Sequence, residues 1–378
     1  MRNIIKKFLA LLIILIIMLI VLEVTIRVIN KDGTFFEYDN LVGSKHIKNA
    51  EGEYKSGEFK NYVKINSDGW YDNNYNITKD TKVKRIIILG DSIAEALQVS
   101  INDSFQQIIE NDLNKNNKKV ELINLGVSGY GTGQEYVNLQ KEGLKYEPDI
   151  VLLIFMPNDV RNNDYELQKS NFKPYFDINS TGELYLSKKP LEGNNFIVNS
   201  LIIIYNKLLK YSKLLSFVQL QVIKKLDSNV ISKKITNVDN PTKINNIPID
   251  VFLYNKTYDK SFEKAWDITE KLIKSTRELS ENNNAKFIMI INLEDIAAIN
   301  EDYKKYGLDL DYDKPSNILK EICKKDKIDC IDLYKPLKEY KDKNNEKELF
   351  FKINGHLTKI GHELIANELK NKLAVYIE

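Results

Sequence analysis

The sequence predicts a doubly wound α/β fold with a mostly parallel five-stranded sheet, preceded by one transmembrane helix. Short runs rich in Ile, Val and Leu recur after residue 83 without alternating with polar residues, as expected of strands that are covered on both faces. Stretches with helical periodicity separate these runs, which is the order of elements in a parallel sheet. An uninterrupted apolar run, Phe8 to Leu22, stands near the N-terminus.

Residues 1–29 are predicted to be a membrane anchor. Arg2, Lys6 and Lys7 precede the apolar run, which is long enough to cross a bilayer if it extends to about Val28. Basic residues before a span favour a cytoplasmic N-terminus. We therefore expect a single-pass protein of the cell membrane with the rest of the chain on the extracytoplasmic side. A cleaved signal peptide is the alternative, but no small-x-small cleavage site follows the run.

The polar residues 30–82 are expected to form a linker and lead-in, and residues 83–376 the α/β domain. The predicted strands are Arg85–Leu89, Val120–Leu125, Ile150–Phe155, Phe287–Asn292 and Ile328–Leu333. The predicted helices cover 104–115, 133–145, 258–281, 314–325 and 357–375.

A segment at about 160–255 interrupts this alternation and is predicted to be a helical insertion. It contains an amphipathic stretch, Phe196 to Leu226, in which apolar clusters alternate with lysines. We favour a helix packed on the domain. The other interpretation is a helix that lies on the membrane or covers the site, because cationic amphipathic helices bind anionic surfaces.

The overall composition is that of a globular protein without a basic field. The chain has 378 residues, of which 43% are hydrophobic and 29% charged, and its formal net charge is +2. We therefore expect no nucleic-acid partner. The two cysteines, Cys323 and Cys330, are too few for a disulfide framework. They are interpreted as two small buried hydrophobic side chains, although pairing with each other stays open.

Three predicted strands end in residues that are suited to catalysis. Gly90-Asp91-Ser92 follows the first strand, the second runs into the glycine-rich stretch 124–133, and the third is followed by Asn158. In α/β sheets the site lies beyond the carboxyl ends of the strands. A serine there becomes a nucleophile when an imidazole accepts its proton, and backbone N–H groups or an asparagine amide can hold the resulting oxyanion.

The chain has three histidines, and they are not equivalent candidates for the base. His46 lies in the lead-in near the anchor and is a poor candidate. His356 precedes the last predicted helix in a loop, where a base is expected. His362 lies on that helix and is interpreted as structural.

These blocks, in this order, resemble the SGNH (GDSL-type) hydrolase superfamily over roughly residues 60–376. The likeness includes Asn66-Ser67-Asp68-Gly69-Trp70 before the first strand, and it is to membrane-anchored members related to alginate-type polysaccharide O-acetyltransferases. The resemblance implies a flavodoxin-like sheet and a serine acyl-enzyme, and it implies no metal or organic cofactor.

The resemblance also implies a role for particular residues. Ser92 corresponds to the nucleophile and His356 to the general base. The N–H groups of Ser92 and Gly126, with the side chain of Asn158, correspond to the oxyanion hole. Asp91 is expected to brace the loop without a chemical step.

One departure concerns the last block, where the family carries an aspartate two or three residues before the histidine. Here these positions are Asn354 and Ile353, and an asparagine offers no charge to an imidazolium. Three interpretations stay open. His356 forms a dyad with Ser92, held by Asn354 or a backbone carbonyl; a carboxylate reaches it from elsewhere; or the protein is catalytically impaired.

The expected function is transfer or hydrolysis of an O-acyl group on a cell-surface or exported glycan, with acetyl as the expected acyl group. If the chain is a transferase, the resemblance implies a multi-spanning membrane O-acyltransferase as the acyl donor. The alternative is a catalytically impaired protein of the SGNH fold that binds a glycan or acts as a scaffold.

Overall fold

The computed structural model describes most of the chain. The described residues are 2–29, 31–115, 119–169, 173–187, 204, 208, 211–215, 217–218, 243–244, 247–291, 307–344 and 349–377. Asn292 and most of the predicted amphipathic stretch Phe196 to Leu226 lie outside them.

A five-stranded sheet with all neighbouring strands parallel forms the centre of the domain. Its strands are β5 (Lys84–Leu89), β6 (Val120–Asn124), β7 (Ile150–Phe155), β12 (Lys286–Ile291) and β13 (Asp329–Asp332). Each lies within one residue of its predicted bounds. The spatial order is β6-β5-β7-β12-β13, so the order reverses between β5 and β7. The predicted doubly wound α/β fold is confirmed.

The central strands are buried on both faces, which explains why their sequences do not alternate. All six residues of β7 are buried, as are the last five of β5 and of β12. The helices that cover the domain are Ser92–Glu95, Phe105–Lys115, Thr132–Lys141, Asn158–Asn163, Tyr165–Gln168, Lys260–Asn282, Lys314–Asp326, Tyr334–Lys343 and Lys359–Ile377. Short 3₁₀ helices occur at Ile101–Asp103, Gly143–Tyr146 and Ile249–Tyr254.

The long helix Lys260–Asn282 illustrates how the sequence specifies these elements. The Asp259 side chain accepts hydrogen bonds from the N–H groups of Ser261 and Phe262, which caps the first turn. Its buried residues recur every three or four positions, as in an amphipathic helix: Phe262, Ala265, Trp266, Thr269, Leu272, Ile273 and Thr276.

The lead-in is more regular than its polar composition predicts. It forms two antiparallel hairpins, β1–β2 (Phe36–Asp39 with Gly43–His46) and β3–β4 (Glu51–Lys55 with Lys60–Lys64). In β4 the burial alternates from residue to residue, with Val63 fully buried. Val63 belongs to a small separate core with Phe35, Ile65, Tyr71 and Leu97. This core attaches the hairpins to the segment that follows the helix Ser92–Glu95.

The described part of the 160–255 segment combines short elements of different kinds. It contains the hairpin β8–β9 (Phe176–Ile178 with Leu184–Leu186) and a two-residue pair, β10–β11 (Lys243–Ile244 with Ile247–Pro248). The helix Tyr165–Gln168 precedes them.

The N-terminal helix, Arg2–Ile29, is 28 residues long and stands apart from the domain core. None of its apolar stretch is buried in the protein, and its length and composition suffice to cross a membrane. Such a helix is either an anchor or a signal sequence.

The interpretation of the two cysteines as unpaired hydrophobic side chains is wrong, because Cys323 and Cys330 form a disulfide. Lys327, with φ of +53°, ends the helix Lys314–Asp326 and turns the chain back into β13. The turn brings the two Cα atoms to 6.3 Å, within the range that a disulfide bridges. The bond therefore joins the last helical turn to the edge strand of the sheet.

Removing this cross-link should destabilise the fold. For a loop this short, the entropy model gives a loss of about 2.5 kcal/mol in the free energy of unfolding for the double variant Cys323→Ala/Cys330→Ala. Denaturant unfolding of the detergent-solubilised chain measures the loss. Reductant should lower the stability of the wild-type protein and leave that of the variant unchanged. Equal stability of wild type and variant without reductant would contradict the prediction.

Candidate active site

A tight turn between β5 and the helix Ser92–Glu95 presents Ser92 at the edge of the sheet. At Gly90, a Cβ atom would lie 2.7 Å from the Cβ of Ala94 and 3.2 Å from that of Ile154, so a side chain has no room there. Asp91 caps the helix by accepting the N–H of Ile93 at 2.9 Å. Ser92 is the first helical residue and is partly exposed.

The reversal of strand order brings Asn158 beside this turn. β5 and β7 are neighbours, and their carboxyl ends carry Ser92 and Asn158. The Asn158 amide donates a hydrogen bond of 3.2 Å to the buried carboxyl of Asp91. Asp91 thus holds both the first helical turn and the Asn158 side chain, as expected of a bracing residue. The second Nδ2 hydrogen of Asn158 remains for a ligand.

Gly126 packs closely against the helix Ser92–Glu95, and its N–H already has an acceptor. A Cβ atom at Gly126 would lie 2.6 Å from the backbone nitrogen of Glu95. Its N–H donates to Oδ1 of Asn124 at 2.9 Å, and Nδ2 of Asn124 donates to the carbonyl of Ala94 at 2.6 Å. The oxyanion role of Gly126 stays a prediction, and it requires Asn124 to release this N–H.

Gly129, three residues later in the same loop, was not predicted as a site residue. It is exposed, has φ of +78°, and has open space where a Cβ atom would be. Among the described residues, no acceptor binds its N–H. Glycine tolerates this left-handed backbone conformation without strain. The glycine itself was therefore the feature of the sequence that could have indicated an unusual turn at this position.

A backbone carbonyl fixes the tautomer of His356. Its Nδ1 lies 3.0 Å from the carbonyl oxygen of Asn354, and because a carbonyl only accepts, Nδ1 carries the hydrogen. In the neutral ring Nε2 then has the lone pair of a base. The turn around it is closed by bonds of 2.8 Å from the N–H of Phe351 to the His356 carbonyl and from the N–H of Gly355 to the Phe351 carbonyl.

A carboxylate from the lead-in holds this turn, although it does not touch the imidazole. Glu58, between β3 and β4, accepts the N–H of Ile353 at 2.8 Å and that of Asn354 at 2.8 Å. The rings of Phe59 and Phe351 lie beside this contact, with their centroids 5.2 Å apart. A backbone carbonyl therefore holds the imidazole, as one of the interpretations from the sequence allowed. Among the described residues, no carboxylate is hydrogen-bonded to the ring, and Glu58 binds only the backbone of the loop.

His356 does not bond to Ser92. Burial raises the pKa of Asp91, and the hydrogen bonds from Ile93 and Asn158, followed by the charge of a protonated His356, oppose this rise. Both Ser92 and His356 are described, and no hydrogen bond joins the serine hydroxyl to the imidazole. Catalytic hydrogen bonds are often long in the absence of substrate, so this geometry is compatible with a base.

His46 was a poor candidate for the base, yet it forms a buried network with the helix Ser92–Glu95. Its Nδ1 lies 3.0 Å from the carbonyl of Gly69, and its Nε2 lies 2.6 Å from Oε1 of Glu95. The same carboxyl accepts the N–H of Ser128 at 3.1 Å. The side chains of His46 and Glu95 are fully buried. This pair fastens the lead-in to two of the loops that form the site.

His362 is structural, as the sequence indicated. Its ring stacks on Phe105 with a centroid distance of 5.9 Å. Burial lowers the pKa of His362 to about 3, so the ring is neutral and carries no charge to a substrate. Across the described ranges, no group of three His, Cys, Asp or Glu side chains is arranged to hold a metal ion.

Near Asp91 lies a second buried carboxyl group, that of Glu135. It lies on the helix Thr132–Lys141, is 1% exposed, and neither of its carboxyl oxygens is hydrogen-bonded within the described part of the chain. Burial raises the pKa of Glu135 well above its usual value, and the charge of Asp91 adds to the effect. Folding therefore favours the protonated form of Glu135.

The chain matches no family model and no curated protein. Similar solved structures include an acetyl xylan esterase (16% identity, TM-score 0.41), covering 76% of this chain and 99% of that one. A catalytic mutant of an acetylxylan esterase from Geobacillus stearothermophilus has 11% identity and a TM-score of 0.41, covering 77% and 94%. A GDSL-like lipase from Bacteroides thetaiotaomicron has 15% identity and a TM-score of 0.37, covering 78% and 89%. At these identities and scores, we conclude nothing from them about activity or substrate.

Replacing Glu135 should stabilise the protein increasingly as the pH rises. Above the usual Glu pKa of about 4.3, the unfolded chain releases this proton while the folded chain keeps it, which costs about 1.4 kcal/mol of stability per pH unit up to the raised pKa. Glu135→Gln cannot ionise and avoids this loss. Thermal unfolding between pH 5 and 8 should therefore show melting curves of variant and wild type that diverge with pH.

The matched control is Glu363→Gln, on an exposed position of the last helix. It should follow the wild type at every pH. A Glu135→Gln variant whose stability runs parallel to the wild type would mean that the buried carboxyl is not protonated in the folded state.

Proposed function

We propose that the protein is a serine-dependent enzyme that hydrolyses or transfers O-acyl groups on a cell-surface or exported glycan. The proposed acyl group is acetyl. The observation that carries the proposal is the tautomer of His356. Its Nδ1–H is bonded to the Asn354 carbonyl, so Nε2 is available as a base. Ser92 and Asn158 follow neighbouring strands at one edge of the sheet, where an ester carbonyl would be held.

In the proposed reaction, the Ser92 hydroxyl attacks the ester carbonyl while Nε2 of His356 takes its proton. The N–H of Ser92 and the second amide hydrogen of Asn158 hold the oxyanion. A third donor is the N–H of Gly126, if Asn124 releases it, or that of Gly129. The alcohol of the donor ester leaves with the proton from the imidazolium, and an acyl-enzyme on Ser92 remains.

The acyl-enzyme is then resolved by a second alcohol or by water. A sugar hydroxyl that takes the acyl group makes the protein a transferase, and water makes it an esterase. The outcome depends on how well the bound acceptor excludes water. In the transferase branch, we propose a multi-spanning membrane O-acyltransferase as the source of the acyl group.

The proposed cellular setting is the extracytoplasmic face of the cell membrane, with Arg2–Ile29 as the anchor. The Cys323–Cys330 disulfide supports this setting, because disulfides persist in oxidising compartments outside the cytosol. The basic residues Arg2, Lys6 and Lys7 before the apolar run support the same orientation.

The neutral carbonyl that binds Nδ1 of His356 should support a lower catalytic rate than a carboxylate would. An aspartate at this place stabilises the imidazolium by charge, whereas a carbonyl only orients the ring. We therefore propose an enzyme with a Ser92–His356 dyad, in which the Glu58 carboxylate stabilises the loop geometry. The alternative, a glycan-binding or scaffolding protein without activity, is favoured by the absence of a hydrogen bond between Ser92 and His356.

A fluorophosphonate probe separates these two functions. The wild-type chain should be labelled, and Ser92→Ala should abolish labelling because the nucleophilic oxygen is gone. Ser100→Ala, at an exposed hydroxyl in the segment after the same helix, is the matched control and should label normally. Absent labelling of the wild type, or labelling that survives Ser92→Ala, would leave the binding function. Acetate release from p-nitrophenyl acetate, compared with transfer to an oligosaccharide, then distinguishes esterase from transferase.

The contacts of the His356 turn predict an unusual order of mutational effects. Asn354→Ala keeps the backbone carbonyl that binds Nδ1, so kcat for p-nitrophenyl acetate should change little. Glu58→Ala removes the acceptor of the Ile353 and Asn354 N–H groups, and a displaced base should lower kcat about tenfold or more.

Glu58→Gln keeps an acceptor oxygen and should restore much of the lost activity. Equal stability of the three variants by thermal unfolding would confirm that geometry, not folding, is affected. A larger loss in Asn354→Ala than in Glu58→Ala would show that the Asn354 side chain, rather than its carbonyl, supports the base.

A further inference from the structure

The far end of the N-terminal helix is hydrogen-bonded to the 160–255 segment. The Glu23 carboxylate accepts the Ser212 hydroxyl at 2.8 Å and the N–H groups of Lys213 and Leu214 at 2.9 Å each. The Arg27 guanidinium donates to the carbonyl of Tyr211 at 2.5 Å. Four contacts thus join residues 23–27 to residues 211–214.

These bonds fix the depth of the attached segment if the helix spans a bilayer. The hydrocarbon core takes about 20 helical residues, so Glu23 and Arg27, after the apolar run, lie at the level of the lipid headgroups. Glu23 and Arg27 also form an ion pair of 2.7 Å, as charged side chains do at an interface. Residues 211–214 are therefore held at the same level.

The attached segment exposes an apolar face. Ile204, Leu208 and Tyr211 have helical backbone and are 53%, 53% and 68% exposed, and Val218 is 46% exposed. The spacing of Ile204, Leu208 and Tyr211, four and three residues, is that of one face of a helix. Ser212 is not helical and separates Val218 from them. In the sequence, lysines recur between them at 207, 210 and 213, a composition typical of helices that lie on anionic bilayers.

We propose that these exposed apolar side chains, Ile204, Leu208, Tyr211 and Val218, lie on the extracytoplasmic surface of the lipid bilayer beside the end of the anchor. The occupant is lipid because the segment is bonded to the end of Arg2–Ile29, whose apolar stretch has no residue buried in the protein. The proposal rests on the proposed membrane anchor and is independent of the catalytic activity. Cleavage of the N-terminal helix would remove Glu23, which accepts three hydrogen bonds from Ser212, Lys213 and Leu214. An uncleaved helix therefore agrees with these contacts.

Site-directed fluorescence in vesicles tests this arrangement with the full chain. Leu208→Cys carries an environment-sensitive dye, with the Cys323–Cys330 disulfide left oxidised, in vesicles of phosphatidylcholine and phosphatidylglycerol. Lipids brominated on the acyl chain should quench it about threefold more than a dye at Val375→Cys, because only the former touches hydrocarbon. Val375 is the matched control, since it is equally apolar and 73% exposed on the last helix.

A third dye position separates failure of this proposal from failure of the anchor. A dye at Leu19→Cys, within the apolar run, should be quenched strongly in vesicles if Arg2–Ile29 spans. Quenching at Leu19 and Leu208 supports the proposal. Quenching at Leu19 with Leu208 no different from Val375 overturns it and leaves the anchor standing. Quenching at neither position overturns both the anchor and the interfacial face.

The variant Glu23→Ala tests the bonds that hold the segment. It removes the shared acceptor of Ser212, Lys213 and Leu214, so quenching at Leu208 should fall while quenching at Leu19 stays unchanged. Unchanged quenching at both positions would mean that Glu23 does not hold the segment at the bilayer.

Discussion

The reversal of strand order between β5 and β7 is the constraint on which the candidate site depends. In a parallel sheet all carboxyl ends point to one edge, and a reversal leaves a crevice there because the loops of the two strands lead to opposite faces. Ser92 and Asn158 follow these two strands. The Asp91–Asn158 hydrogen bond joins the loops that follow the two strands. Without this topology, residues 66 positions apart along the chain would have no reason to meet.

Close backbone packing surrounds the helix Ser92–Glu95. Gly90 and Gly126 leave no space for a Cβ atom against Ala94 and the Glu95 nitrogen. The Asn124 side chain donates to the carbonyl of Ala94 in the helix and accepts the N–H of Gly126 in the loop. Larger side chains at Gly90 or Gly126 would therefore displace the helix that carries Ser92.

The lead-in has a larger part in the site than a linker would. His46 reaches the helix Ser92–Glu95 through Glu95, Glu58 reaches the histidine turn, and Asn61 donates to the carbonyls of Leu97 and Val99. Three side chains from residues 30–82 thus hold the elements that carry Ser92 and His356. The geometry of the candidate site therefore depends on the packing of two small hairpins.

The sequence by itself determined the strands, their parallel arrangement and the candidate residues Ser92, Asn158 and His356. These features depend on neighbours in the chain: continuous apolar runs, helical periodicity, and the residue that follows a strand. Only the tertiary structure decided that Cys323 pairs with Cys330, that the Gly126 N–H is already bonded, and that a carbonyl holds the imidazole. Glu58 and Asn354 are 296 residues apart, and a contact over such a distance is set by the fold, which no local pattern encodes.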